Sequence, residues 1–535
     1  MLPTATRPTI CAHPIFSLLR LCNSMRDFKL LHAQIITSGL SQDSLSAQQL
    51  ITFCALSPSG DLGHASRLFE SIDQPSLHIY NTIIRAYSKS KTPRLSLSTF
   101  AIMLQRGVAP DHYTYPFLIK ACSHLQWVHQ GEVLHSQVIK YGLEFDAFVS
   151  NSLMHMYASC QAIWPARKVF DEMPQRTLVS FNTMLDGYAK CGKIQDAKAL
   201  FAVMTEHDIV TWSAMIDGLV HAGEYREALS VFDRMQASNV RANDVTIVSA
   251  LGACAHLGAL ATGTAMHTYI GDHGFKLNVV LGTAMVDMYA KCGAPNEALR
   301  VFRVVPNADL LTWNAVINGM AMNGMSEKAL GLFGEMERAG VRPDEITYLG
   351  LLCACTHGGF VEDGWRFFNA LSERGMSAKV EHCACMVDLL GRAGKVMEAY
   401  EFISSMPFEP TSSMLGALLS ACKMHGYVSL GERVGKRLIE LEPNHDGRYI
   451  GLSNVYAAAS RWDEARKARE MMEMRGVKKV PGFSSVEVDG AIHRFIADDR
   501  THPCSKEVYL MLNDLGRQIK LQDCLETVLD TDEEG

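Results

Sequence analysis

The sequence predicts an all-α protein built as a solenoid, and three observations carry that reading. The chain matches itself at offsets of 31 to 35 residues over most of its 535 positions, the signature of a repeat array. Each repeat holds two stretches whose apolar residues recur at i, i+3, i+4 and i+7, the spacing of an amphipathic helix. Strand-type alternation is absent before about residue 483. A helix pair cannot hide its apolar face alone and must stack on its neighbours, which produces a solenoid with a long concave groove.

Taken from the N-terminus, residues 1–26 hold Arg7, Arg20 and Arg26, several Ser and Thr, and no acidic residue before Asp27. That composition fits an organellar transit peptide, the alternative being an unstructured leader with no address. A degenerate helix pair follows at 27–76, its first traces starting near residue 9. The array proper runs over 77–411. Its repeats open with "IYNTIIRAYSK" (79–89), "SFNTMLDGYAK" (180–190), "TWSAMIDGLVH" (211–221) and "TWNAVINGMAM" (312–322). Each continues through a turn glycine into a second helix such as "EALSVFDRM" (227–235), "EALRVF" (297–302) or "KALGLFGEM" (328–336). Gly192, Gly223, Gly293 and Gly324 stand where the first helix must stop.

Repeat length varies in a pattern. Repeats 77–111, 209–243 and 310–344 end in Pro-Asp, Ala-Asn and Pro-Asp. Repeats 112–146, 244–278 and roughly 345–379 form a long class without the Asn-type start, and 147–177, 178–208 and 279–309 have 31 residues.

Several chemistries can be weighed against this frame. The net charge is −7 and the pI about 6.3, which excludes binding nucleic acid by bulk charge but not reading bases in a local groove. With 48% hydrophobic residues and a mean hydropathy of +0.03, most of the chain can be buried. No charged residue falls between Asp244 and Asp272, long enough to span a bilayer. Four Gly, four Thr and two His in that stretch, and its register with the repeats, argue for helices of the array instead, so no membrane contact is expected. Fifteen cysteines without a secretory signal do not make a disulfide framework.

The hexamers "MYASCQ" (156–161), "GYAKCG" (187–192) and "MYAKCG" (288–293) raise the question of a reactive thiol. Cys160, Cys191 and Cys292 each occupy the fourteenth position of a short repeat, and Cys122, Cys254, Cys355 and Cys422 the eleventh of another class. Three of the latter precede His124, His256 and His357 in a Cys-x-His pattern. One copy per repeat is the distribution of a small packing residue, not of a zinc site. The two "CAC" triplets (353–355, 383–385) put their thiols on nearly opposite helix faces, so no metal and no cofactor is expected.

These repeats resemble pentatricopeptide repeats, in the mixed long-and-short (PLS) arrangement of land-plant organellar RNA-editing factors. Tetratricopeptide repeats, the nearest look-alike, carry a Trp-Leu-Gly-Tyr pattern that the core repeats lack. The resemblance implies a right-handed superhelix that binds single-stranded RNA at about one base per repeat. It also implies that the fifth and last residues of each repeat select the base, and that the second packs on the base face. Carried over, the selecting pairs are Asn81/Asp111, Asn151/Thr177, Asn182/Asp208, Ser213/Asn243, Thr283/Asp309 and Asn314/Asp344. The packing layer is His78, Phe148, Val179, Val210, Val280 and Leu311. The family's rules read Asn with Asp as U, Ser with Asn as A, Thr with Asp as G, and Asn with Thr as a pyrimidine. The long repeats offer Pro116/Asp146, Val248/Asn278 and Leu349/Lys379, whose bases stay open. The implied element is U-n-Y-U-A-n-G-U-n-n, 5′ to 3′. Ordinary helix N-capping is the competing account of the same polar residues.

The C-terminal third continues the resemblance. Residues 380–411 resemble the terminal short repeat, and 412–445 and 446–479 the two extension (E) motifs, as TPR-like helix pairs. "PGFSSVEVDGAIHRF" (481–495) resembles the Pro-Gly box that opens the family's DYW deaminase domain, and reads as a hairpin about Asp489-Gly490. Phe483-Ser484-Ser485 stand where the family has Cys-Ser-Trp. A helix is expected over 505–521, within a partial tail at 480–535. A cytidine deaminase needs H-x-E and a later C-x-x-C for its zinc-bound water and proton shuttle, and the chain contains neither. The expectation is therefore a non-enzymatic adaptor for C-to-U editing that recruits a DYW-type cytidine deaminase and accessory editing factors in trans. No small-molecule substrate is expected. The edited C would lie four nucleotides 3′ of the base aligned with the last short repeat. Splicing, stabilisation or translation of organellar RNA is the alternative, and a protein-binding helical scaffold a further one. The short arginine-based leader favours the mitochondrion, with the chloroplast as alternative.

Overall fold

The computed structural model describes residues 22–39, 44–488, 491–496 and 500–532. Of the expected leader, residues 1–21 lie outside the described residues; Met25 and Arg26 already belong to the helix Met25–Thr37, capped by Ser24. The described residues form 28 helices and a single two-stranded sheet, an all-α solenoid.

From Leu77 onward the helices come in pairs, for example Leu178–Lys190 with Ile194–Val203 and Leu310–Met322 with Ser326–Arg338. Their starts are set by side chains that satisfy the first free N–H groups. Reciprocal capping boxes join Thr177 to Ser180, Asp208 to Thr211 and Asp344 to Thr347. Their ends are set by glycine: Gly192 and Gly293 sit at φ +67° and +76°, a left-handed turn that costs other residues about 1–2 kcal/mol. The uncharged stretch after Asp244 is two helices, Asp244–Leu257 and Leu260–Asp272. No described helix is long and apolar enough to cross a membrane.

Two compact bodies divide the chain, Met1–Thr246 and Ile247–Gly535, and each is assembled the same way. Within a body, first helices pack on their own second helices and on neighbouring first helices, as Leu178–Lys190 does on Ile194–Val203 and on Ile209–His221. The core lies between the two layers and repeats one aromatic contact. Phe201 at the end of a second helix meets Trp212 of the next first helix edge-on at 5.2 Å. Phe170 meets Phe181 at 5.2 Å and Phe302 meets Trp313 at 4.6 Å in the same way. Edge-to-face pairs of this kind add about 0.5–1.5 kcal/mol to the gain from burial. First helices approach closely because a glycine faces an alanine. A Cβ on Gly218 would come within 2.7 Å of the Ala189 Cβ, and one on Gly319 within 2.6 Å of the Ala290 Cβ.

The pattern runs on through Ser412–His425 with Val428–Leu441 and Asp446–Ala458 with Trp462–Met474, closed over a core that includes Tyr449, Leu452, Tyr456 and Met472. The Val480 N–H donates to the Asp446 carboxylate at 2.8 Å, which ties down the segment leading to the sheet. Strands Phe483–Val488 and Ala491–Ile496 pair antiparallel, Phe483 opposite Ile496; Asp489 and Gly490 lie outside the described residues. The last helix is longer than the expected 505–521 and runs Ser505–Asp532. No Pro or Gly stands between Arg517 and Asp532, and Leu521, Leu525 and Val528 keep helical spacing, so the helix runs on to Asp532.

Candidate nucleic-acid interface

The polar residues singled out by register meet across neighbouring repeats, and the capping geometry explains how. The last residue of a joined pair accepts from an N–H at the start of the next first helix, so its side chain turns in toward the fifth residue of the repeat before. Asn81 Nδ2 donates to Asp111 Oδ1 at 3.0 Å, Asn182 Nδ2 to Asp208 Oδ1 at 3.1 Å, and Asn314 Nδ2 to Asp344 Oδ1 at 3.0 Å. Ser213 Oγ lies 3.5 Å from Asn243 Oδ1. Thr283 does not reach Asp309 directly: its hydroxyl lies 2.7 Å from that of Thr312, which donates to Asp309 Oδ1 at 2.8 Å. Asn151 and Thr177 are not joined. Thr177 turns to Ser180 instead, and Asn151 Oδ1 is buried with no partner.

A third residue completes each joined pair. The Thr114 hydroxyl is 2.8 Å from both Asn81 Oδ1 and Asp111 Oδ1. Thr211 lies 2.7 Å from Asn182 Oδ1 and 2.8 Å from Asp208 Oδ1, and Thr347 2.6 Å from Asn314 Oδ1 and 2.9 Å from Asp344 Oδ1. Thr246 contacts Ser213 Oγ at 2.6 Å while donating to Asn243 Oδ1 at 2.8 Å. Each of the hydroxyls at 114, 211 and 347 has a single proton to share between the two oxygens within its reach, and this holds the pair in one orientation. These threonines were absent from the sequence reading. Their signal was available: Thr114, Thr211, Thr246, Thr312 and Thr347 each stand three places after a last residue.

The network is nearly closed to solvent. Asn182 is 8% exposed and Asn314 4%, and the threonines at 211, 312 and 347 are fully buried. Burial by itself would raise the Asp208 and Asp344 carboxyls. The hydrogen bonds from Thr211 and Val210, and from Asn182, outweigh it for Asp208, as those from Thr347, Asn314 and Ile346 do for Asp344. Both carboxyls are held below their ordinary range and stay ionised acceptors.

Above this floor the second residues stand out. Phe148, Val179, Val210, Val280 and Leu311 are each between 52 and 63% exposed, and His78 is exposed as well. In the C-terminal body, Val280, Thr283, Asp309, Leu311, Asn314 and Leu349 line a mostly apolar groove of about 710 Å³. A few polar groups on the floor between apolar ridges suit a flat ring with a hydrogen-bonding edge.

Cys353 lines this groove, and the eleventh- and fourteenth-position cysteines lie elsewhere. Cys191 Sγ donates to the Ala158 carbonyl and Cys292 Sγ to the Cys254 carbonyl, each at 3.5 Å. Asn323 Nδ2 does the same to the Ala290 carbonyl at 2.8 Å, so the fourteenth residue closes a neighbouring helix end. Burial pushes the Cys122 and Cys355 thiols up to about 12, the opposite of an activated thiolate.

Comparison with known proteins agrees with this architecture. The family model "PPR repeat family" matches residues 75–124, 207–256 and 308–357, "PPR repeat" matches 179–209 and 283–306, and "E motif" matches 425–487. The chain is 45% identical to a pentatricopeptide repeat-containing protein of Arabidopsis thaliana, over 92% of this chain and 80% of that protein. It is 48% identical to another from the same plant, over 94% of each. A third, named as mitochondrial, is 37% identical over 96% of this chain and 91% of its own length, and one named as chloroplastic 38% over 96% and 84%. Among solved structures, the pentatricopeptide repeat protein PPR10 in complex with an 18-nt psaJ RNA element matches at 17% identity and a TM-score of 0.39, over 86% of this chain and 92% of that one.

Proposed function

This chain belongs to the pentatricopeptide repeat family, and from that premise we propose that it binds single-stranded organellar RNA by sequence. The carrying observation is the recurrence of one arrangement. A fifth-position polar group is fixed to a last-position partner by a buried hydroxyl, beside an exposed second-position side chain, in repeats of both bodies. An asparagine whose amide donates one proton to an ionised aspartate keeps a second N–H and a carbonyl lone pair for a ligand. That donor–acceptor pair matches the N3 edge of a pyrimidine, and the family's rule narrows it to uracil. In chain order, the element is U-n-Y-U-A-n-G-U-n-n. The third position rests on Asn151, which is not joined to Thr177 and whose pyrimidine assignment follows the family's rule alone.

The finer role is direction of C-to-U editing. The match to the E motif at 425–487 and the strand pair that begins at its end, at Phe483, would form the surface that recruits a cytidine deaminase in trans. Relatives whose names place them in mitochondria or chloroplasts support an organellar address, the mitochondrion first. Sequencing organellar transcripts from plants with and without the gene tests the role. A cytidine four nucleotides 3′ of the base aligned with the last short repeat, edited only when the gene is present, is the expected result. Unchanged editing at every site matching the element would rule the role out, and altered splicing or abundance at such sites would replace it with the alternative.

A further inference from the structure

Three repeats carry a ladder on the face that bears the selecting residue. Asn182, Asp186 and Lys190 are spaced by four, as are Thr283, Asp287 and Lys291, and Ala384, Asp388 and Arg392. Residues at that spacing lie one above another on a helix. Asp287 and Lys291 line the same groove as Thr283 and Asn314. In each ladder the acid holds the base: Asp186–Lys190 at 2.6 Å, Asp287–Lys291 at 2.7 Å and Asp388–Arg392 at 3.0 Å. We propose that Asp186, Asp287 and Asp388 are specificity-determining residues that withhold these cations from RNA phosphate, so that recognition rests on bases and not on backbone charge. This proposal rests on the RNA-reading function above.

The physical argument concerns net charge at the point of contact. Each pair sums to zero, and a phosphate approaching the Lys190 ammonium meets the Asp186 carboxylate as a like charge. A single strand releases counterions in proportion to the phosphates a protein neutralises, at about 0.7 per contact. A neutral pair releases none, so an RNA of any sequence gains little by lying against it. Base contacts then decide which RNA stays. The first two repeats of the array differ: Arg85 and Lys89, and then Lys120 and His124, occupy the same two positions with no carboxylate partner among the described residues, and Arg85 lies 5.6 Å from the Phe117 ring centre. Backbone attraction remains available at those N-terminal repeats. An overall charge of −7 fits a protein that limits non-specific attraction.

The test is the salt dependence of binding by the full chain, read by fluorescence anisotropy between about 50 and 200 mM salt. The probes are RNA carrying the element and RNA of the same composition in scrambled order. Combining Asp186→Asn, Asp287→Asn and Asp388→Asn should steepen the log–log slope by about 2, three contacts at 0.7 each, for both probes. At low salt the scrambled RNA should bind more tightly than it does to the unaltered protein. Adding Lys190→Gln, Lys291→Gln and Arg392→Gln to that variant should return the slope to its starting value. Circular dichroism confirms that each variant keeps its helices. A slope unchanged or shallower in the acid variant, with the element still preferred, overturns this proposal alone and leaves the pairs as ordinary helix-surface contacts. Absence of binding to either RNA overturns the RNA-reading function and this proposal together.

Discussion

Replacing Thr211 by valine isolates the contribution of the buried hydroxyl. The two side chains have nearly the same shape, and Thr211 is fully buried, so packing changes little. What is lost is the proton shared between Asn182 Oδ1 at 2.7 Å and Asp208 Oδ1 at 2.8 Å. The Asp208 N–H also loses its acceptor at 3.3 Å, but the helix cap survives in part, because the Thr211 backbone N–H still donates to Asp208 Oδ1 at 2.8 Å and Asn182 Nδ2 donates to the same oxygen at 3.1 Å. The buried Asn182 carbonyl loses its donor, which costs about 1–3 kcal/mol. Repeat arrays do not unfold in one cooperative step, so a global midpoint is a poor reporter. Native-state amide exchange in helices Leu178–Lys190 and Ile209–His221 reads the local opening directly. The expected change is about 5- to 150-fold faster exchange there. The preference for U over C at the base of repeat 178–208 should narrow in parallel. Ser180→Ala is the control: its hydroxyl bonds only within the Thr177 cap, so it should cost less, about 0.5–1 kcal/mol. Exchange unchanged to within about twofold in Thr211→Val would refute the claim that the hydroxyl fixes the pair.

Other outcomes follow from the same contacts. Gly319→Val places a side chain against the Ala290 Cβ, 2.6 Å from the new Cβ, and should cost about 1–3 kcal/mol, read in the full chain as faster native-state amide exchange in helices Val279–Lys291 and Leu310–Met322, whereas Gly334→Ala, with nothing within 4 Å, should be neutral or stabilising. The Asp344 carboxyl is held low by its hydrogen bonds, so its stabilisation is complete above the unfolded value of about 3.9 and lost as pH falls through the lower folded value. Exchange protection near Asp344 should therefore be flat between about pH 5 and 7 and decline only below about pH 4, a decline that Asp344→Asn removes in part. With its thiol pushed up to about 12, Cys355 should resist iodoacetamide at neutral pH while exposed Cys504 is alkylated, as mass spectrometry of the intact protein would show.

Much of the fold was legible because the repeats state it several times. Gly293 after Cys292 fixes where a first helix ends, and that register places Thr283 and Asp309 without any structure. Amphipathic spacing gave the helix pairs, and the Phe201–Trp212 type of contact explains why the same aromatic positions recur. The way the site is held was less legible. Thr211 reads as an ordinary N3 residue of a capping box, and only the stacking of consecutive repeats shows that its hydroxyl also reaches Asn182. The same stacking separates Asn151 from Thr177, because Ser180 competes for the threonine within its own cap. The last helix runs past the expected 521 because no Pro or Gly stands between Arg517 and Asp532, which the acidic composition of that end obscures.

The central claim is that the fixed side chains at 213 and 283 choose bases, and one binding measurement tests it most directly. The full chain is titrated with RNA carrying the element and with RNA in which the A and the G of the element are exchanged. Each wrong base should cost about 1–3 kcal/mol, so the exchanged RNA should bind more weakly by at least about tenfold. Equal affinity for the two would contradict the account.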